Sequence, residues 1–94
     1  MYPISKEQYK LAKKMGIHIF PSDNPKYKID VYDSDGVYHT SIGASAYNDY
    51  FLYLASKGKD YALERRRLYA IRHKKDLFRI GSRGWFSGRL LWNI

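Results

Sequence analysis

Lys26-Tyr-Lys-Ile-Asp-Val-Tyr32, Asp33-Ser-Asp-Gly36 and Val37-Tyr-His-Thr-Ser-Ile42 form the stretch on which the fold turns. Tyr27, Ile29 and Val31 alternate with Lys28 and Asp30, the period of a half-buried strand. Asp33 to Gly36 reads as a turn, with a glycine available for a positive φ angle. Val37 to Ile42 then returns. Residues 26–42 therefore predict a β-hairpin. The Asp33-x-Asp35-Gly36 spacing resembles the start of a calcium loop, but the later spacing and the closing glutamate of an EF-hand are missing.

Upstream, Ser5-Lys-Glu-Gln8 has the form of a capping box, with Ile4 and Tyr9 placed for a hydrophobic staple. A helix is expected over 5–15, with Tyr9, Ala12 and Met15 as its apolar stripe. Lys6, Lys10, Lys13 and Lys14 surround that stripe as a solvated face, and Gly16 suits a left-handed helix end. Ile17-His-Ile-Phe20 is a short β-like run that could add a third strand to the hairpin. Pro21 interrupts it, because proline cannot donate to a ladder.

Downstream, Ser45 is expected to cap a helix over 45–56 carrying Tyr47, Tyr50, Phe51 and Leu54 at a 3–4 spacing. Lys57-Gly-Lys59 interrupts it, and Asp60 can cap a second helix over 61–78. Gly81-Ser-Arg-Gly84 reads as a hinge before a short helical segment over 85–92. The sequence thus predicts a small α+β protein, residues 1–94 as a single domain: an N-terminal helix, a hairpin or short antiparallel sheet, and C-terminal helices.

Net charge is the strongest functional signal. Met1 to Ser56 carries six lysines against six acids, whereas Lys57 to Ile94 carries eleven Lys or Arg against Asp60, Glu64 and Asp76. All of the net charge of +8 therefore lies in the second segment. A surplus this local calls for a partner of opposite sign, whether nucleic acid, an acidic protein surface or anionic lipid. The chain has no cysteine, which excludes disulfides, thiolate metal sites and cysteine nucleophiles. The first residues do not read as a signal peptide, and no apolar run approaches the roughly 18 residues of a transmembrane segment. Ten tyrosines, four phenylalanines and two tryptophans supply much of the large side-chain volume. Each ring can close a thin core or anchor an interface.

The densest charge is Glu64-Arg-Arg-Arg-Leu-Tyr-Ala-Ile-Arg-His-Lys-Lys75. At 100° per residue, Ala62, Arg66, Tyr69, His73 and Leu77 share one side of a helix, and Leu68, Ile71 and Phe78 share the other. Two apolar stripes imply contacts on two sides, where a simple surface helix shows one. The cations Arg65, Arg66, Arg67, Arg72, His73, Lys74, Lys75, Arg79, Arg83 and Arg89 are candidates for contact with nucleic acid or another acidic partner. Arginine forks match phosphate oxygens. The other reading is a solvated helix whose arginines pair with the chain's own acids, but eight positive charges remain after every acid is paired. Tyr69, Trp85, Phe86, Leu91 and Trp92 are candidate protein-interface anchors, with core closure the competing role for the terminal aromatics.

No catalytic constellation emerges. His18, His39 and His73 are scattered without HxH or HxxxH spacing, so no metal site is expected, and His73 reads as a hydrogen-bonding side chain. Gly81, Gly84 and Gly88 lack the Lys-Ser/Thr pair of a P-loop. Gly84 and Gly88 have the spacing of a membrane helix-packing motif in a stretch too short to span. A non-enzymatic protein without cofactors is the expectation.

Three pieces in order carry a resemblance: Ile42-Gly-Ala-Ser-Ala-Tyr-Asn-Asp-Tyr50, the Glu64 to Lys75 helix, and Trp85 with Leu90-Leu-Trp-Asn93. Together they resemble a short, basic, functionally uncharacterised protein family of large double-stranded DNA viruses of eukaryotes and some phages. Tyr47, Asp49 and Tyr50 fall on its Tyr-x-Asp-Tyr turn, and Arg66, Tyr69, Arg72 and His73 on its Arg-x-x-Tyr-x-x-Arg-His helix. Ile42 stands where that family usually has Phe, and Phe51 to Lys59 holds a longer insert. The resemblance implies a viral protein in the virion, and in the host cell interior before assembly. A non-catalytic minor capsid or virion-internal protein follows, part of a larger assembly with other virion proteins and, through its basic helix, DNA. An accessory nucleoprotein binding DNA without sequence preference is the alternative, followed by a membrane-surface adaptor.

Overall fold

A computed structural model describes all residues, Met1–Ile94. The protein is α+β: an N-terminal helix, a three-stranded antiparallel sheet, then helices. Its contacts cluster into two compact units, Met1–Tyr47 and Asn48–Ile94.

In the first unit, helix α1 spans Lys6–Met15. Ser5 Oγ accepts from the Gln8 amide at 3.2 Å, and the Gln8 carboxamide accepts from the Ser5 amide at 2.8 Å, so both halves of the capping box form. Gly16 ends the helix at φ 72°, where a side chain would be strained. Its amide bonds to Lys13 O and the Ile17 amide to Ala12 O, a Schellman ending. The buried face keeps Ala12 of the expected stripe but takes Gln8 in place of Tyr9. Gln8 and Ala12 are buried, while Tyr9 is exposed. The Gln8 amide group can be buried because it also donates to Tyr2 Oη at 2.9 Å.

Strands β1 (His18–Pro21), β2 (Tyr27–Tyr32) and β3 (Tyr38–Ala44) pair in the order β1-β2-β3. The hairpin is β2–β3, and β1 adds the third strand at an edge, where Pro21 is tolerated as the last residue. Asp33 Oδ1 accepts from the amides of Asp35 and Val37 at 2.9 Å each, which occupies that carboxylate in shaping the turn. Ile19, Ile29, Val31 and Ile42 turn inward and are buried. A bulge after Val31 shifts the register so that Tyr32 faces Tyr38. That re-aims Tyr38 onto the face of Ser41, whose hydroxyl lies 2.8 Å from Tyr38 Oη and donates to Asp30 at 2.7 Å. Lys28 departs from the alternation. It is buried, with Nζ 5.7 Å from the centre of the Tyr2 ring.

In the second unit, α2 spans Tyr50–Lys57, α3 Lys59–Arg72, α4 Lys74–Leu77 and α5 Arg83–Leu90. Asp49, not Ser45, caps α2, its carboxylate accepting from the Leu52 amide at 2.9 Å. Ser45 is unavailable because β3 runs on to Ala44 and the Ser45 amide bonds to Lys26 O. Asp60 does not cap α3 by its side chain, since the helix already starts from Gly58. The expected helix over 61–78 is broken at His73, at φ −112° and ψ 24°, into α3 and α4. Ser82 caps α5 by accepting from the Trp85 amide at 3.1 Å. Tyr50, Ala62, Phe86, Leu90, Leu91 and Trp92 form the buried interior. The Tyr50 amide, bonded to Leu91 O at 3.1 Å, ties the start of α2 to the closing segment. No helix is long and apolar enough to cross a membrane.

Candidate functional site

The triple arginine opens the basic stretch, and its members are held within the second unit. The Arg65 guanidinium lies over the Tyr53 ring at 5.5 Å, with Nε buried and without a protein hydrogen-bond partner. Arg66 lies over the Tyr50 ring at 5.1 Å and donates to Asn93 O at 3.0 Å. Arg67 grips Glu64 through two hydrogen bonds, of 2.6 and 3.1 Å. That contact holds the exposed Glu64 carboxyl below its usual range. Arginine suits all three settings because its flat, weakly hydrated head stacks on rings and forks onto oxygens.

Tyr69 stands between two rings. It stacks on Trp92 at 4.3 Å and 11°, and on His73 at 4.2 Å and 23°. Burial first, and the nearby Asp76 carboxylate second, push its hydroxyl pKa up from the ordinary 10.0. His73 Nδ1 lies 3.5 Å from Asp76 Oδ2. Tyr69 and His73 therefore help build the α3–α4 break around Trp92. Phe86, Leu91 and Trp92 are interior, whereas Trp85 is half-buried beneath Arg89 at 5.3 Å. Arg89 also donates to Ile94 O at 2.6 Å, and Arg83 likewise has a partner.

The remaining candidates are different. Arg72, Lys74, Lys75 and Arg79 are exposed, and their side chains make no hydrogen bond or ion pair within the protein. They lie together at the end of α3, along α4 and in the turn beyond it. Three large apolar side chains occupy the same stretch in water: Ile71, Phe78 and Ile80. Of the second apolar stripe read from the sequence, Ile71 and Phe78 are exposed but Leu68 is half-buried, and the break at His73 separates Phe78 from α3. Ile80 carried no periodic signal, because it follows the helix and precedes Gly81. The arrangement offers exposed positive charge interleaved along the chain with exposed apolar side chains, suited to binding a polyanion with an apolar interior.

Compared with models of known protein families, with curated proteins and with solved structures, the chain finds no match.

Proposed function

We propose that this chain is a non-catalytic structural protein of a virus particle that contacts packaged DNA through Arg72, Lys74, Lys75 and Arg79. One observation carries the contact: these four cations lie within a stretch of eight residues and have no partner in their own fold. The viral setting is supported by the ordered motif from Tyr47 to Trp92. Backbone phosphates suit the cations because such contacts need charge and reach, with no set sequence of bases. Arg65, Arg66 and Arg67 are engaged within the protein and do not enter the count.

Titration of duplex DNA with the full chain at several salt concentrations tests the contact. Neutralising four phosphates gives a slope of about −3.6 in log affinity against log salt. Lys74→Ala together with Lys75→Ala should flatten that slope by about 2. Absence of binding at about 50 mM salt refutes the contact. Absence of the protein from purified particles refutes the structural role.

A further inference from the structure

Phe78 and Ile80 are 76% and 84% exposed. The backbone beneath them is built into successive turns. The Phe78 amide bonds to Lys75 O at 3.4 Å, Arg79 to Asp76 O at 3.2 Å, and Ser82 to Arg79 O at 3.0 Å. Ser82 then starts α5 with its side-chain cap. Two large apolar side chains are thus held in water by ordered backbone, at a cost to solubility that burial in the core would avoid. Cations flank them in the chain: Lys74 and Lys75 before, and Arg79 between.

We propose, resting on the DNA contact above, that Phe78 and Ile80 form a wedge that enters a base step of duplex DNA and kinks it. Arg72, Lys74, Lys75 and Arg79 hold the phosphates on either side. Apolar side chains anchored by neighbouring cations unstack base pairs in this way, and the kink brings more backbone within reach. Pyrimidine–purine steps open most readily, so the wedge gives a preference for flexible sequence without reading bases. An anionic bilayer is the competing surface. Docking there favours a helix with one continuous apolar face and a strongly polar face opposite. Here α4 has only four residues, and α3 buries Ala62 on one side while exposing Ile71 on another. A pair of exposed apolar side chains flanked in the chain by cations matches a base step better than a bilayer interface.

Duplexes of about 25 base pairs carrying donor and acceptor dyes at their ends, with a central TA step or a GC-rich centre, provide the test. The full chain should raise energy transfer on binding, and bind the TA duplex several-fold tighter. Phe78→Ala with Ile80→Ala should bind with the same salt slope yet leave the duplex straight and lose the TA preference. Both positions are exposed, so the double variant should keep its circular dichroism spectrum. Binding without bending by the wild type, or equal bending by the double variant, overturns the wedge and leaves the phosphate contact standing. Failure to bind DNA overturns both. Binding to phosphatidylcholine–phosphatidylserine vesicles in place of DNA overturns both in favour of a membrane partner.

Discussion

Gly84→Ala should destabilise the second unit, although alanine is the better helix former. A Cβ added at Gly84 would stand 2.5 Å from Asp76 Cβ and 3.0 Å from its Cγ. Real Cβ atoms do not approach so closely, and Asp76 Cβ is fixed to the backbone of α4, so α4 must shift. Overpacking of this kind costs about 1–3 kcal/mol. The gain in helix propensity is about 1 kcal/mol at most, and smaller here because Gly84 lies in the first turn of α5. The net loss is about 1–2 kcal/mol, which lowers the melting temperature by roughly 4–16 °C in a chain of this size. Both tryptophans lie in Asn48–Ile94, so tryptophan fluorescence during heating follows this unit. Gly88→Ala is the control. Its Cβ would overlap Leu77 Cδ2, the far end of a side chain that can rotate, so the penalty should be offset to within about 1 kcal/mol. Asp76→Gly removes the opposing Cβ, and in that background Gly84→Ala should lose most of its effect. A Gly84→Ala protein that melts at or above the wild-type temperature, or suffers the same loss beside Asp76→Gly, refutes the close-packing account.

Ser5→Ala should cost about 1 kcal/mol, because it removes the cap bond from the Gln8 amide to Ser5 Oγ. Faster hydrogen exchange in the first turn of α1 would report it, and unchanged exchange would count against the cap. The raised pKa of Tyr69 makes a pH prediction. The folded state holds that proton more tightly than the unfolded chain, so the contribution is complete below the ordinary 10.0 and is lost as pH rises through the folded value. Urea midpoints between about pH 9 and pH 11 should fall more steeply for the wild type than for Tyr69→Phe, and parallel profiles would refute the linkage.

Local chemistry made some of this structure legible. Ser5, Gln8 and Gly16 specify both ends of α1 within twelve residues, and Asp33 with Gly36 specifies the hairpin turn. The errors arose where distant pairing decides. Ser45 is as good a cap as Asp49, but pairing of Tyr27 with Ala44 extends β3 and gives the Ser45 amide to Lys26 O. Lys28 alternates as an outward residue, yet the Tyr2 ring, from the segment before α1, meets its ammonium. The break at His73 has no proline or glycine to announce it. Its stacking on Tyr69, in turn stacked on Trp92, depends on a residue 19 positions further on. In the candidate site, the net charge was legible but its division was not. The seventeen Lys and Arg all look alike in sequence, and only packing separates the occupied guanidiniums from the free ones.

That division sets how the positive charge is distributed over the folded second unit. The second unit contains the acids Asp49, Asp60, Glu64 and Asp76. Asp49 is buried in capping α2, Glu64 is held by Arg67, and Asp76 lies beside His73. Arg65, Arg66 and Arg89 stack on Tyr53, Tyr50 and Trp85, and Arg66 also donates to Asn93 O. Aromatic rings satisfy the guanidinium's geometry without cancelling its charge. Those three arginines keep contributing positive potential while being fixed in place. The cations from Arg72 to Arg79 thus stand in a field to which those arginines also contribute. Positive potential is thus spread over the unit, with Lys57 and Lys59 exposed around the start of α3 and the cations from Arg72 to Arg79 exposed around its far end.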